Sequence, residues 1–122
     1  MIKLTFCLTR VSHLSRERFH EYWYGTHAPL VASVAETLGI RRYVQLHSLP
    51  AAASEALRAS RDAPPEYDGV AELWFDSLEA LSQNGARPEA QAAGRLLLED
   101  ERRFIDLPKS PLWWGEEKVI VG

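Results

Sequence analysis

The hydrophobic pattern of this chain switches from a period of two to a period of about 3.6 and back, twice, and that order most restricts the fold. Ile2, Leu4, Phe6 and Leu8 alternate with Lys3, Thr5, Cys7 and Thr9, the pattern of a half-buried strand over 2–9. From Phe19 the apolar positions run Phe19, Tyr22, Trp23, His27, Leu30, Val34, Leu38, in steps of three and four. That is a helix. Ser15 as N-cap, Glu17 in the first turn and a Leu14–Phe19 staple mark its start, and Gly39 its end. Pro29 has no N–H for the carbonyl of Gly25, so a kink or opening is expected between them.

Ile40–Leu49 reads as a second strand and Tyr67–Phe75, entered through Asp68-Gly69, as a third. Between them, residues 50–66 carry three alanines and the Pro64-Pro65 pair, and read as a long insertion poised as a mobile lid over a site. Ser77 caps a short helix, Leu78–Ser82; Pro88 opens a longer one reaching about Arg103. Phe104–Leu107 packs back, Pro108 and Pro111 turn the chain, and Glu116–Val121 supplies a last edge strand. The order β-α-β-β-α-β is ferredoxin-like: one α+β domain over 1–122, with a four-stranded antiparallel sheet and both helices on one face.

Charge narrows the partners. Fourteen Lys+Arg against seventeen Asp+Glu give a net charge of -3, which argues against nucleic acid. One cysteine, Cys7, excludes an internal disulfide framework and a multi-thiolate zinc site. His13, His27 and His47 fall on different elements, so no metal is expected. The first residues turn polar too early for a signal peptide, and no apolar run reaches the ~18–20 residues that cross a membrane. The expected location is cytoplasmic, with no membrane partner. No H-E-x-x-H, glycine-rich phosphate loop or G-x-S-x-G is present, so zinc hydrolase, nucleotide enzyme and esterase readings lack their machinery.

Parity sorts the strands into two faces. The plainly apolar sets suit the helices: Leu4, Phe6, Leu8; Val44, Leu46; Ala71, Leu73, Phe75. The other face then carries Thr5, Cys7, Tyr43, Gln45, His47, Val70, Glu72 and Trp74. Large aromatics mixed with donors and titratable groups have the composition of a ligand pocket. A second copy of the chain is the expected cover for that face, burying Trp74.

At this point a family pattern is visible. Ser15, Phe19, Tyr22-Trp23 and His27-Ala28-Pro29-Leu30-Val31, then Arg42-Tyr43-Val44-Gln45, then the run Tyr67-Asp68-Gly69-Val70-Ala71-Glu72-Leu73-Trp74-Phe75 resemble the EthD-like family of the dimeric α+β barrel superfamily. The resemblance extends past Asp100 and Phe104-Ile105-Asp106 to cover essentially the whole chain. It implies a homodimer whose sheets face each other across a cavity, and no cofactor. Relatives it brings in include cofactor-free monooxygenases, lactone isomerases and polyketide-tailoring dehydratases or decarboxylases. The scaffold hosts many chemistries, so the reaction stays open.

Three residues are candidate catalysts. His27 matches the motif histidine and titrates in the range for proton transfer; its bland alternative is a core histidine with one backbone partner. Tyr43 is a candidate donor to a carbonyl or enolate oxygen. Glu72 is a candidate base, or a structural partner of an arginine such as Arg42. Trp23, Gln45, His47, Val70, Trp74 and Cys7 are candidate substrate-binding residues, with Cys7 lacking any basic neighbour that would make it a nucleophile. Asp68 reads first as a structural Asx turn. The expected function is cofactor-independent acid–base chemistry (lyase, isomerase or monooxygenase) on an apolar cyclic or aromatic carbonyl compound. The alternative is a non-catalytic carrier using the same cavity.

Overall fold

Most boundary signals have a structural counterpart in the computed structural model, which describes residues 1–122. Strand β1, Ile2–Leu8, leads to helix α1, Arg16–Tyr22, where Ser15 Oγ accepts the Arg18 N–H at 3.1 Å. The helix then loosens into a π-helical turn, Trp23–His27, and resumes as α2, Ala28–Leu38. The Ala28 N–H reaches back to the carbonyl of Trp23, and Pro29 offers none to Gly25. Gly39 closes α2 in the left-handed conformation, φ 75°.

Strand β2 is Arg42–His47 and β3 is Gly69–Phe75; α4, Leu78–Gly85, is capped by Ser77, and α5 is Pro88–Glu101. The last strand, β4, is Leu112–Gly115. It pairs with β1, giving the antiparallel order β2-β3-β1-β4 of the ferredoxin-like α+β fold. The expectation of an edge strand over Glu116–Val121 is corrected: the edge of β1 is already taken by Leu112–Gly115. Val119, Ile120 and Val121 follow without a partner strand, 78%, 88% and 92% exposed. No helix is long and apolar enough to cross a membrane.

Residues 50–66 form a 3-10 turn, Ala51–Ser54, and helix α3, Glu55–Arg61. Glu66 holds Arg58 at 2.6 Å and Arg16 at 3.0 Å, so the insertion is tied to α1. None of it lines the interior cavity described below.

The core sits between β1, β3 and the start of the long helix. Phe6, Leu8, Phe19, Trp23, Ala71, Phe104 and Ile105 form one cluster. Ile105 bridges to Arg10, which pins the chain after α5 onto the end of β1. Asp68, buried beneath, accepts the Arg10 N–H at 2.8 Å, the Arg10 guanidinium at 2.6 Å and Arg16 Nε at 3.0 Å. Burial pushes its pKa up, but those donors overcome it and hold the carboxyl below its ordinary value.

Candidate active site

The cavity lies inside the subunit, between the sheet and its helices. It encloses about 280 Å³, and its walls are apolar apart from His27, Glu101, the Tyr43 phenol and the Trp23 indole. No Lys or Arg lines it. The sheet floor is built by Leu4, Phe6 and Leu8 with Ala71, Leu73 and Tyr43. These share a face because Leu4 pairs with Leu73, Phe6 with Ala71 and Tyr43 with Leu73.

His27 is presented by the π-helical turn and is 5% exposed. Its Nδ1 lies 2.7 Å from Asp100 Oδ2, and the Tyr22 hydroxyl donates to Asp100 Oδ1 at 2.6 Å. With Nδ1–H given to the carboxylate, Nε2 carries the lone pair and has no partner in the protein. His27 lines the cavity wall, and no fully buried side-chain nitrogen or oxygen is left unpaired. Burial lowers the His27 pKa below its ordinary 6.5, against the opposing pull of Asp100. The ring is therefore neutral at pH 7 and able to accept a proton. Tyr22, also partly buried, is pushed up by burial and by Asp100, which keeps its hydroxyl a donor.

Tyr43 is held by a hydrogen-bond chain along one face of β2. Gln45 Nε2 donates to the Tyr43 oxygen at 2.7 Å and to the Trp23 carbonyl at 3.0 Å; His47 Nε2 donates to Gln45 Oε1 at 2.7 Å. The phenol thus receives a bond, and its own proton is free to donate. Burial raises its pKa, so it stays protonated. His47 stacks on Trp23 with centroids 4.7 Å apart and planes 14° apart. Burial, with His20 close by, lowers the His47 pKa. Outside Tyr43, an open groove of about 630 Å³ is lined by His20, Glu21, Tyr24, Gln45 and His47.

Glu101 is the second titratable group on the cavity wall. Burial, with Asp100 adjoining, pushes its carboxyl up to about 7. It makes no hydrogen bond to another side chain.

The sequence-derived candidates divide between two sides of the sheet. His27, Tyr43 and Trp23 meet at the cavity, while Gln45 and His47 line the adjoining groove. Glu72, Val70, Trp74 and Cys7 lie on the opposite face, a correction to their placement beside Tyr43. The register decides it: Glu72 pairs with Thr5 and Val44, and Tyr43, Gln45 and His47 fall on the face of Leu73, Ala71 and Gly69. Val44 and Leu46 accordingly face away from the helices, and Leu46 is 56% exposed. Glu72 pairs with Lys3 at 2.8 Å rather than Arg42. Trp74 is already 9% exposed in the single chain, covered by Lys3 and Arg42 and hydrogen-bonded to Glu117. Burial raises the Cys7 pKa and keeps it a thiol.

Asp100 and Glu101 were not among the candidates, yet α5 carries their signal. Ala90, Ala93, Leu97, Asp100 and Phe104 follow steps of three and four, and all are buried. An acid on an apolar stripe needs a buried partner, and here it is His27. Gly94, Leu97 and Glu101 make the neighbouring stripe that faces the cavity.

Comparison with known proteins places the chain in a family. A Claviceps purpurea protein described as a decarboxylase is 26% identical over 126 residues, covering 98% of this chain and 86% of that protein. The crystal structure of an EthD family protein from Bacillus halodurans is 24% identical, with a TM-score of 0.62 over 97% of this chain and 99% of that one. A cofactor-independent oxygenase from Streptomyces nogalater has the same fold, TM-score 0.55, at 15% identity over 98% of this chain and 95% of that one. The EthD domain model matches residues 12–108, a span that includes His27, Tyr43, Asp100 and Glu101. The chain belongs to the EthD domain family.

Proposed function

We propose that this chain is a cofactor-independent enzyme performing acid–base chemistry on an apolar, cyclic or aromatic carbonyl compound held in the interior cavity. One observation carries the reading. His27 lines an apolar cavity with Nε2 unbonded, while Asp100 holds Nδ1 at 2.7 Å. A histidine oriented this way has a fixed tautomer and a directed lone pair. It takes the proton from the carbon beside the carbonyl, and the electron pair moves onto the carbonyl oxygen. Tyr43 donates to that oxygen as charge develops. Trp23 sets the ring plane of the substrate.

The decarboxylase from Claviceps purpurea and the oxygenase from Streptomyces nogalater favour chemistry of this kind. Decarboxylation and cofactor-free oxygenation both pass through a carbanion or enolate beside a carbonyl, the species that Tyr43 would stabilise. The working unit in this reading is a cytoplasmic homodimer, with Trp113 and Leu46, 52% and 56% exposed on the outer sheet face, against a second copy.

The test uses cyclohex-3-en-1-one, a small enolisable ketone, in deuterated water. The wild type accelerates exchange of the C2 protons, followed by proton NMR. His27→Asn stays folded by circular dichroism and slows that exchange by ~10²–10⁴. A folded His27→Asn protein that exchanges at the wild-type rate overturns the reading, as does a wild type that does not accelerate exchange.

A further inference from the structure

Glu101 is not needed to remove a proton, and nothing in the core explains an acid there. It lies one residue beyond Asp100 at the end of α5, where the two carboxyls diverge. Asp100 turns to His27 and Tyr22, and Glu101 turns to the cavity wall. No Lys or Arg lines the cavity to pair with it. Tyr43 from β2 feels its charge, His27 from the π-helical turn shares the cavity lining with it, and Asp100 adjoins it on its own helix. A carboxyl in such surroundings is retained as a neutral acid near pH 7, and burial with Asp100 beside it has that effect.

We infer that Glu101 is a proton donor to the bound substrate, so that the cavity relocates a proton rather than only removing one. This rests on the acid–base reading of His27. His27 Nε2 takes the proton from the carbon beside the carbonyl, breaking that C–H bond and leaving a dienolate whose oxygen accepts from Tyr43. The Glu101 O–H bond breaks and its proton joins the distal carbon, as the electron pair on the oxygen re-forms the carbonyl. The product is an isomer of the substrate, with His27 protonated and Glu101 ionised. His27 returns its proton to Glu101 directly or through water, and the balance closes without oxidant or reductant. The absence of a cation in the lining also defines the substrate class: an uncharged, enolisable carbonyl compound with unsaturation one bond beyond the acidic carbon. A carboxylate entering this cavity would lose its water with no cation to replace it.

Cyclohex-3-en-1-one separates the two roles in one experiment. Its dienolate can be deuterated again at C2, which is exchange, or at C4, which yields cyclohex-2-en-1-one. Deuterium NMR reads both. The expected result is that Glu101→Gln lowers the ratio of C4 delivery to C2 exchange by ~10²-fold. Glu101→Asp recovers part of the C4 delivery, and the alkaline fall of C4 delivery near pH 7 disappears in Glu101→Gln. Equal loss of both products in Glu101→Gln, or unchanged C4 delivery, overturns the donor role. Wild-type exchange at C2 without C4 product also overturns it while leaving the His27 reading intact. No exchange at all removes both.

Discussion

His27 Nδ1 and Asp100 Oδ2 stand 2.7 Å apart although 73 residues separate them in the chain. The contact joins the π-helical turn to the end of α5 and leaves Nε2 unbonded. It serves two purposes. It satisfies a buried carboxylate, and it fixes the tautomer of the ring. The core-histidine and catalytic readings of His27 are therefore compatible, because they use different nitrogens.

That division predicts the behaviour of Asp100→Asn. The amide can neither hold His27 in the Nδ1–H form as firmly nor accept as strongly from Tyr22. Exchange of ketone C2 protons is expected to fall ~10²–10⁴, with a stability loss of ~1–3 kcal/mol by urea unfolding. A stability loss with unchanged exchange per folded molecule would assign Asp100 a structural role alone.

Gly69 sets the position of Trp23. A Cβ there would lie 2.5 Å from Trp23 Cζ3 and 2.7 Å from the Leu46 carbonyl oxygen. Both contacts are too short for a Cβ, so the indole and the strand backbone must both give. Gly69→Ala is expected to cost ~1–3 kcal/mol and to disturb the cavity wall. Calorimetry and the near-ultraviolet circular dichroism of the tryptophans would check this; a variant with wild-type melting and an unchanged spectrum would mean that the strand alone shifts.

Glu101 makes stability depend on pH in a defined direction. Its folded pKa, about 7, is raised above the ordinary 4.5. Between those values the folded protein holds the proton and the unfolded chain releases it. Its contribution is full below 4.5 and is lost as pH rises through about 7, amounting to ~3 kcal/mol. Urea unfolding at pH 5 and pH 8 should show Glu101→Gln gaining on the wild type only at the higher pH. An equal difference at both values would contradict the burial of this carboxyl.

Asp68 has the opposite sign. Its folded pKa is depressed, so its contribution is present above the ordinary 3.8 and lost as pH falls through the lower folded value. Asp68→Asn is expected to cost ~2–4 kcal/mol at pH 7, since Arg10 and Arg16 lose their common partner. The deficit should shrink as pH falls below 3.8 and through the lower folded value. Acid unfolding of the two proteins, followed by circular dichroism, checks both the size and the pH window.

The fold was legible because its boundaries are local chemistry. Ser15, Gly39, Ser77 and Pro88 announce themselves through caps and missing donors, and the Gly25–Pro29 break marks the π-helical turn. The face of β2 was not legible. Val44 and Leu46 are the more apolar set, and on composition they belong inside. The structure instead turns Tyr43, Gln45 and His47 toward the helices, where Gln45 bonds the Trp23 carbonyl and His47 stacks on the Trp23 ring. Leu46 is left to the outer face, where one chain offers no cover. Register is a long-range property, and moving β2 by one residue exchanges its faces without changing its pattern. Val119–Val121 misled for a related reason: an apolar run is a strand only if an edge is free. Asp100 is one acid among several near the end of α5, and only its place on the Ala90–Phe104 stripe distinguishes it.

The state of His27 itself is the most direct test of the account. Nitrogen-15 NMR of histidine-labelled protein, with His27→Asn assigning the signal, reads which ring nitrogen carries the proton. The account predicts a neutral His27 at pH 7 with hydrogen on Nδ1, an unprotonated Nε2, and a titration midpoint below 6.5. An imidazolium at pH 7, or a neutral ring with hydrogen on Nε2, would contradict it.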